Sequence, residues 1–415
     1  MKKVKIGVLG VQRGTSMINF SKDYDKCELV AICDYWEEGL MKKKEELNDD
    51  RITYYLDYEE FLKHDMDAVI LANYATEHAP FAVKALKAGK AVFSECLPFQ
   101  TMKQAVELIE AVEETGGFYM YGENYCYMPA PREMRRDYQK GIIGEFEYGE
   151  GEYLHNCESI WHGITQGKHE HWRNNMYANF YCTHSMGPLV HITGLRPVSV
   201  IGFETPYNER TARMGTKEGG IGVEMVTFEN GGVAKSLHGV GCSRDSVYYN
   251  IWGSLGQEES NRECQGITAA IQIFKSLDEF EGENKGNKYM HDYPIDEYAE
   301  AAKSYGHGGS DFYCMKEFVD YILGNKDADI IDVYEACDMF LPGMFGYRSV
   351  LAGNIPMEIP NLRDKAVRDQ WRNDTWCTDP KVAGVMLVPS YSKGNPDVPQ
   401  EVYDKVREKW LDKIK

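Results

Sequence analysis

The sequence has no stretch of about 18 consecutive apolar residues, so nothing in it reads as a membrane span. It has no Cys-x-x-Cys pair, and its 11 cysteines are scattered and odd in number. That speaks against a disulfide framework and for free thiols in a reducing cytoplasm. Basic surplus is missing too. Lys and Arg number 46 against 65 Asp and Glu, a formal net charge of -19. Nucleic acid and anionic membrane, which demand basic patches, are therefore not expected as partners. The opening run Met1-Lys-Lys-Val-Lys-Ile6 lacks a secretory leader pattern and passes directly into a strand, so a cytoplasmic protein is expected. No internal repeat, low-complexity tract or recognisably spaced pair of carboxylates stands out.

What is present is a chain of 415 residues with 43% hydrophobic and 27% charged residues, a globular composition long enough for two domains. The first third alternates strand and helix. Strands are predicted over residues 3–10, Cys27–Asp34, Asp67–Ala72, Ala91–Ser94 and Phe118–Tyr121, with helices from about Thr15, over Pro80–Ala88 and over Met102–Glu114. Such alternation implies a parallel, doubly wound sheet.

After the first strand comes Gly10-Val-Gln-Arg-Gly14, a loop whose backbone N–H groups and following helix suit a pyrophosphate. It departs from Gly-x-Gly-x-x-Gly, because Gln12 and Thr15 stand where the second and third glycines would fall; Arg13 lies within the loop. Asp34 closes the second strand, 20 residues after Gly14. A carboxylate there binds both ribose hydroxyls of NAD and repels a 2′-phosphate. The plainer alternative is a solvated aspartate at a strand end.

From about residue 125 the candidate strands become longer and alternating: Glu145–Tyr153, Pro197–Phe203, Ile221–Phe228, Val233–Gly239 and Ser246–Gly253. The fold expected is α/β plus α+β, a Rossmann domain over 1–124 followed by an α+β domain over 125–415 with an open, mostly antiparallel sheet. Residues 255–300 read as a long polar excursion, Asp311–Leu323 and Asp332–Ala352 as helices, the stretch beyond Pro360 as irregular, and the tail from Pro399 as a short helix. An open sheet leaves a face that needs covering, so a homodimer or homotetramer through that sheet is expected.

The stretch Tyr177-Ala-Asn-Phe-Tyr181-Cys-Thr-His184 gathers phenols and an imidazole, groups that move protons at sugar hydroxyls. Each also has a plainer reading. A lone Tyr among 28 is most often a packed aromatic with one hydrogen bond. Trp172 is a sugar platform or core. Glu123 binds cofactor or sugar, or braces a strand end. Six of the 11 His lie between 155 and 191, and His169-Glu-His171 leaves a divalent metal open against a polar surface turn. Cys96 reads as a small packed residue.

The segment Asn73-Tyr-Ala-Thr-Glu-His78-Ala-Pro through Ser94-Glu95-Cys96-Leu-Pro98 resembles the glucose–fructose oxidoreductase, inositol dehydrogenase and rhizopine catabolism (Gfo/Idh/MocA) superfamily, and the resemblance covers nearly the whole chain. It implies that the loop with Asn73 and His78, and the segment with Glu95, flank a nicotinamide. The superfamily's sugar-facing Lys is Cys96 here. Its Asp-x-Gly-x-His signature reads Phe180-Tyr-Cys-Thr-His184, with the His kept and the Asp lost. The NAD-dependent glycosidases of glycoside hydrolase family 109 look closer. Glu123-Asn124, Tyr153-Leu-His155, Trp172-Arg173, Tyr181-Cys-Thr-His184-Ser-Met-Gly-Pro188, Gly306-His307-Gly-Gly-Ser-Asp311-Phe and Asp332-Val-Tyr-Glu-Ala are similar to that family's motifs, in order.

The resemblance implies a tightly bound NAD held by Gly10, Gln12, Arg13, Gly14, Thr15, Asp34, Asn73, His78, Glu95, Glu123 and Asn124. It implies catalysis by His184, Tyr153, Tyr181 and His155, and a small-molecule glycoside substrate met by Trp172, Arg173 and His307. The implied activity is redox-neutral glycoside cleavage, by transient oxidation at C3, elimination, water addition and re-reduction. Two alternatives stay open: a sugar 3-dehydrogenase serving a partner enzyme, and a regulatory NAD-binding protein without catalysis.

Overall fold

The structure is a computed structural model that describes residues 3–262, 270–275, 289–292 and 296–414. The chain divides into two compact units. The first comprises Met1–Met128, Pro294–Cys337 and Leu362–Asn373; the second comprises Pro129–Tyr293, Asp338–Asn361 and Asp374–Lys415. A single boundary at 124 does not describe this division, because the chain returns to the first unit twice.

In the first unit six parallel strands, β1 (Val4–Leu9), β2 (Cys27–Cys33), β3 (Thr53–Tyr55), β4 (Ala68–Leu71), β5 (Ala91–Ser94) and β6 (Tyr119–Tyr121), stand in the order β3-β2-β1-β4-β5-β6. The order reverses between β1 and β4, the switch point at which dinucleotides bind such sheets. Every residue of β4 is buried, as a parallel sheet covered on both faces requires. The helix Met102–Thr115 begins where the Thr101 hydroxyl accepts from Gln104 N and ends at Gly116 with φ 61°. The helix Ser310–Ile322 also belongs here. Its Phe312 ring lies 5.1 Å from Phe20, and its Phe318 ring lies 5.5 Å from both Phe93 and Phe118. The stretch after Pro360, expected to be irregular, contains a helix over Lys365–Trp371. It is tied to Met102–Thr115 by Arg368 to Glu113 (2.7 Å) and by Arg372, just beyond its end, to Glu110 (2.7 Å).

In the second unit nine strands form one sheet: β7 (Phe146–Asn156), β8 (Pro197–Glu204), β9 (Gly222–Phe228), β10 (Val233–Gly239), β11 (Gly241–Gly253), β12 (Gly256–Ser260), β13 (Ala270–Lys275), β14 (Tyr289–Asp292) and β15 (Met357–Glu358). Their order is β14-β13-β12-β11-β7-β10-β9-β8-β15. β10 runs parallel to β7, and the other pairings among the described strands are antiparallel. The polar excursion expected over 255–300 is corrected in its described parts, since β12, β13 and β14 extend the sheet there. One face carries the helix Thr183–Thr193. The contact is close because position 151 has no side chain: a Cβ on Gly151 would stand 1.8 Å from Ser185 O. The Ser185 and Ser236 hydroxyls bond at 2.8 Å, and Tyr249 donates to His184 O at 2.6 Å, fixing the helix over β7, β10 and β11. The opposite face exposes Phe203 (44%) and Trp252 (50%).

Candidate functional site

The carboxyl edge of the parallel sheet in the first unit is shaped for a dinucleotide. Gly10 ends β1 with φ 102°, and a Cβ there would lie 2.5 Å from Ala72 O. At Gly14 a Cβ would lie 2.1 Å from Gly10 O, so the turn closes only around glycine. The helix Thr15–Asp23 then begins without a side-chain cap, leaving its first N–H groups to a ligand. The Thr15 hydroxyl is occupied locally, donating to Val11 O at 2.8 Å. Asp34 accepts from Val11 N and Trp36 N, both at 2.8 Å, which fixes its carboxylate beside the loop with lone pairs to spare for ribose hydroxyls. Asn73 Oδ1, at the end of β4, is buried and has no hydrogen-bond partner among the described residues. An orphaned acceptor at the switch point and a cradle that a Cβ would fill both fit NAD. Tyr35, 64% exposed and edge-to-face with Tyr74 at 6.3 Å, adds an aromatic surface next to Asp34 that the sequence reading passed over.

Beyond β4 the edge is a buried polar network. Arg13 forms a two-pronged pair with Asp311 (2.8 and 3.1 Å) and a second pair with Glu95 (2.7 Å). Its side chain is thus held by carboxylates of the protein. Asp311 also accepts from Asn124 Nδ2 (2.8 Å) and meets His307 Nδ1 (3.1 Å). Burial opposes ionisation of Asp311, yet the His307 hydrogen bond and the Arg13 charge hold its carboxyl well below the usual range. Burial pushes Glu95 the other way, upward, and Arg13 only partly offsets this. The Cys96 thiol donates to Glu123 Oε2 at 3.2 Å, and Glu123 Oε1 accepts from Tyr125 N at 3.2 Å. Burial, then the Glu123 charge, raises the Cys96 thiol well above its ordinary value, so it is no thiolate nucleophile. His78 is fully buried with Nδ1 2.8 Å from Leu97 O and Nε2 3.3 Å from Asn73 O. Burial lowers it to about 4, so it stays neutral and its single N–H ties two loops together.

In the second unit β7 and the start of the helix Thr183–Thr193 bring three predicted residues together. The Tyr153 and Tyr181 rings lie 4.7 and 4.9 Å from the His184 ring, both edge-on. Tyr153 follows Gly151 by two residues on one strand, so both point to the same face, and the close approach at Gly151 is what sets the imidazole against the phenol. Arg173 packs its guanidinium over Trp172 (4.4 Å) and Tyr181 (4.9 Å) and reaches the Tyr181 hydroxyl at 3.4 Å. His155, two residues past Tyr153, lies 5.8 Å from its ring and pairs with Asp245 at 3.1 Å. Asp245 carries no motif and was invisible in the sequence; it sits on β11 and also accepts from Asn156 N. The His169-Glu-His171 pair splits. His169 packs on Tyr403 at 4.8 Å, while His171 Nδ1 caps Arg173 N at 3.2 Å. Burial and the Arg173 charge lower His171 to about 3. Neither residue joins a group of three metal-ligating side chains among the described residues.

Two family models match the chain. Residues 4–123 match the oxidoreductase family with an NAD-binding Rossmann fold, and residues 200–372 match the C-terminal domain of glycosyl hydrolase 109. Tyr153, Tyr181 and His184 lie between the two matched ranges. A glycosyl hydrolase family 109 protein of Solibacter usitatus (strain Ellin6076) is 26% identical over 412 residues, 89% of each chain. Glycosyl hydrolase family 109 protein 5 of Phocaeicola vulgatus is 27% identical over 385 residues, 81% of this chain and 74% of that one. Among solved structures, levoglucosan dehydrogenase in complex with NADH and L-sorbose superposes with a TM-score of 0.69 at 15% identity, covering 87% of this chain and all of the other. The myo-inositol 2-dehydrogenase of Lactobacillus plantarum gives 0.66 at 16%, covering 86% and 100%. At these identities the solved structures show a shared fold.

Proposed function

We propose that the chain, matched by the NAD-binding oxidoreductase model and by the glycosyl hydrolase 109 C-terminal model, is a Gfo/Idh/MocA-type enzyme of the glycosyl hydrolase 109 branch that cleaves glycosides by a redox-neutral route. The observation that carries this reading is the Tyr153–Tyr181–His184 cluster, an acid–base set without a carboxylate pair. Ordinary glycosidases flank the scissile bond with two carboxylates about 5–9 Å apart.

Bound NAD supplies hydride acceptance from C3 of the sugar and hydride return to it. Gly10, Gly14, Asp34 and Asn73 bind the cofactor. A ketone at C3 acidifies the C2 proton, which a modest base removes; Tyr153, set against His184, takes that proton. Arg173, held 3.4 Å from the Tyr181 hydroxyl, favours negative charge developing on that oxygen. His155, backed by Asp245, gives a proton to the C1 leaving-group oxygen. Water then adds at C1 and the proton returns to C2. Cys96 stays a thiol in the first unit, and Trp172 in the second is covered by Arg173.

The first unit serves the cofactor and the second the sugar and self-association. Exposed Phe203 and Trp252, on the sheet face opposite the helix Thr183–Thr193, support a homodimer or homotetramer through that face. Ten of the 11 cysteines lie among the described residues, buried and free, which accords with a cytoplasmic setting. Turnover of aryl glycosides in heavy water tests the chemistry. Deuterium at C2 of the released sugar, without net NADH, is expected. Cleavage with no deuterium at C2 rules elimination out, and exchange with NADH accumulating but no cleavage points to a dehydrogenase.

A further inference from the structure

We propose that residues 374–414 are a positioning element for the sugar site: Ser390 and Tyr403 pin the two ends of the stretch 166–177, hold Trp172 and Arg173 beside Tyr181, and so set which glycosides are accepted. The proposal rests on the glycosidase reading above. The ranges matched by the two family models end at residues 123 and 372, so neither covers this element.

Three observations lead to it. The first is that the stretch 166–177 has little structure of its own. It contributes no strand to the described sheet, and its regular part is the single turn Trp172–Asn174. Its internal bonds, Asn174 Nδ2 to Lys168 O (2.9 Å) and Asn175 Nδ2 to His171 O (3.1 Å), shape the loop without anchoring it. Such a segment opens readily unless other parts of the chain hold it.

The second observation is where the anchors come from. At the front end Gly167 lies against the helix Gln400–Ile414, with φ 66° and room for no side chain, since a Cβ there would stand 2.5 Å from Arg407 N. Arg407 donates to Gln166 O at 3.3 Å. Tyr403, 1% exposed, sets its ring edge-on to His169 at 4.8 Å and donates its hydroxyl to Gly215 O at 3.0 Å. Gly215 leads into Thr216 and Lys217, which donate to Arg173 O (3.4 Å) and Asn174 O (3.1 Å). At the far end the buried Ser390 hydroxyl donates to Asn175 O at 2.7 Å, and Trp376 packs edge-on against Tyr177 at 5.7 Å.

The third observation is what lies between the anchors. Arg173 stacks its guanidinium over Trp172 and Tyr181 and reaches the Tyr181 hydroxyl. Among the described residues no carboxylate pairs with it, which leaves N–H groups of its fork for a sugar's hydroxyl or amide oxygens. A planar donor fork discriminates by geometry, because sugars differ in where those oxygens project. Tyr181 precedes the helix Thr183–Thr193 and is placed by that helix. The backbone of Arg173 is placed by Thr216, and through Gly215 by Tyr403. The distance between guanidinium and phenol is therefore set in part from residues 374–414.

Ser390→Ala and Tyr403→Phe test this, since each deletes one hydroxyl and keeps the packed remainder of the side chain. Hydrogen–deuterium exchange on the full-length, NAD-loaded protein should speed up in peptides from 166–177 by about 2–10-fold, the worth of one hydrogen bond. Peptides from residues 4–123 should not change. With p-nitrophenyl glycosides of glucose, galactose and N-acetylgalactosamine, KM for the preferred glycoside should rise about 2–10-fold, kcat should change less, and the ratios of kcat/KM among the three should shift. In an Arg173→Ala background the same substitutions should add nothing further, because their effect runs through that guanidinium. Unaltered exchange in 166–177 in both variants overturns the proposal. So does an equal drop in kcat toward all three glycosides at unchanged KM, the mark of a smaller folded fraction, or a tail effect undiminished in Arg173→Ala. A native protein inert toward every glycoside overturns the glycosidase reading and the sugar role with it, while the exchange result still decides whether residues 374–414 hold the stretch that carries Arg173.

Discussion

Gly151→Ala is the sharpest test of how the second unit builds its site. The added Cβ would stand 1.8 Å from Ser185 O and 2.7 Å from Ser185 C, both backbone atoms in the helix Thr183–Thr193. An ordinary carbon–oxygen contact is about 3.3 Å, so helix and strand must part by roughly 1.5 Å. The Leu189 side chain is also near, with Cδ1 at 3.3 Å, but its movement does not relieve the clash with the backbone. Overpacking of this kind costs about 1–3 kcal/mol, which for a unit of this size lowers its melting temperature by about 2–12 °C. The functional loss should be larger. His184 rides on the displaced helix and Tyr153 on the fixed strand, and a misplacement of about 1 Å costs on the order of 10²-fold in rate. Gly151 lies in the second unit and the residues proposed to bind NAD lie in the first, so NAD affinity should hold. Differential scanning calorimetry, NAD titration and aglycone release measure the three outcomes on one sample. A variant with wild-type melting and wild-type turnover would refute the claim that this glycine sets the Tyr153–His184 contact.

Asp34→Ala should weaken NAD binding about tenfold or more, given about 1.5–3 kcal/mol for hydrogen bonds to a charged group, and the native protein should prefer NAD over NADP; a titration showing NADP preference contradicts this. Acid should destabilise the fold before carboxylates titrate. His78 and His171 have folded values near 4 and 3 against 6.5 unfolded, so the unfolded chain binds more protons and stability falls as pH drops below about 6.5, by up to about 1.4 kcal/mol per pH unit for each. Urea midpoints from pH 7 to 5 should show the decline, and His171→Gln should flatten it; an unchanged slope in that variant counts against the assignment. Trp252→Glu should shift the assembly toward monomer in light scattering at micromolar concentration, and a wild-type monomer there would contradict sheet-mediated association.

The parallel sheet was legible because its strands are short, continuous apolar runs bounded by turn residues, and β5 was placed to the residue. β3, with three residues, is too short for periodicity to register. The strands within 255–260 were hidden by their polarity. Gln257 and Glu259 are bonded to Asn250 and Tyr248 on the neighbouring strand, so the sheet satisfies polar groups that read in isolation as a loop. The cluster of Tyr153, Tyr181 and His184 was readable from motif order. Two carboxylate contacts outside that cluster were not. Asp311 meets Arg13 and Asn124 across 298 and 187 residues, and Asp245 meets His155 from a separate strand. Nothing periodic links such positions; only the folded chain brings them together. The His169-Glu-His171 spacing, read as a polar surface turn with a metal left open, ends in two separate contacts, His169 on Tyr403 and His171 on Arg173 N.

The first unit is assembled from three separate pieces of chain, and this bears on how it emerges from the ribosome. Phe20, Phe93 and Phe118 belong to the first piece, but the rings that cover them, Phe312 and Phe318, are made almost 200 residues later than Phe118. Arg368 and Arg372, which clasp the helix Met102–Thr115, follow later still. During synthesis the nucleotide sheet therefore waits with apolar surface uncovered while the second unit is produced. A fragment ending at residue 128 would carry that surface permanently and should aggregate, whereas a chain extended through the helices Ser310–Ile322 and Lys365–Trp371 covers it. Chaperone dependence during translation, rather than marginal equilibrium stability, is the expected signature of a unit closed by its own distant segments.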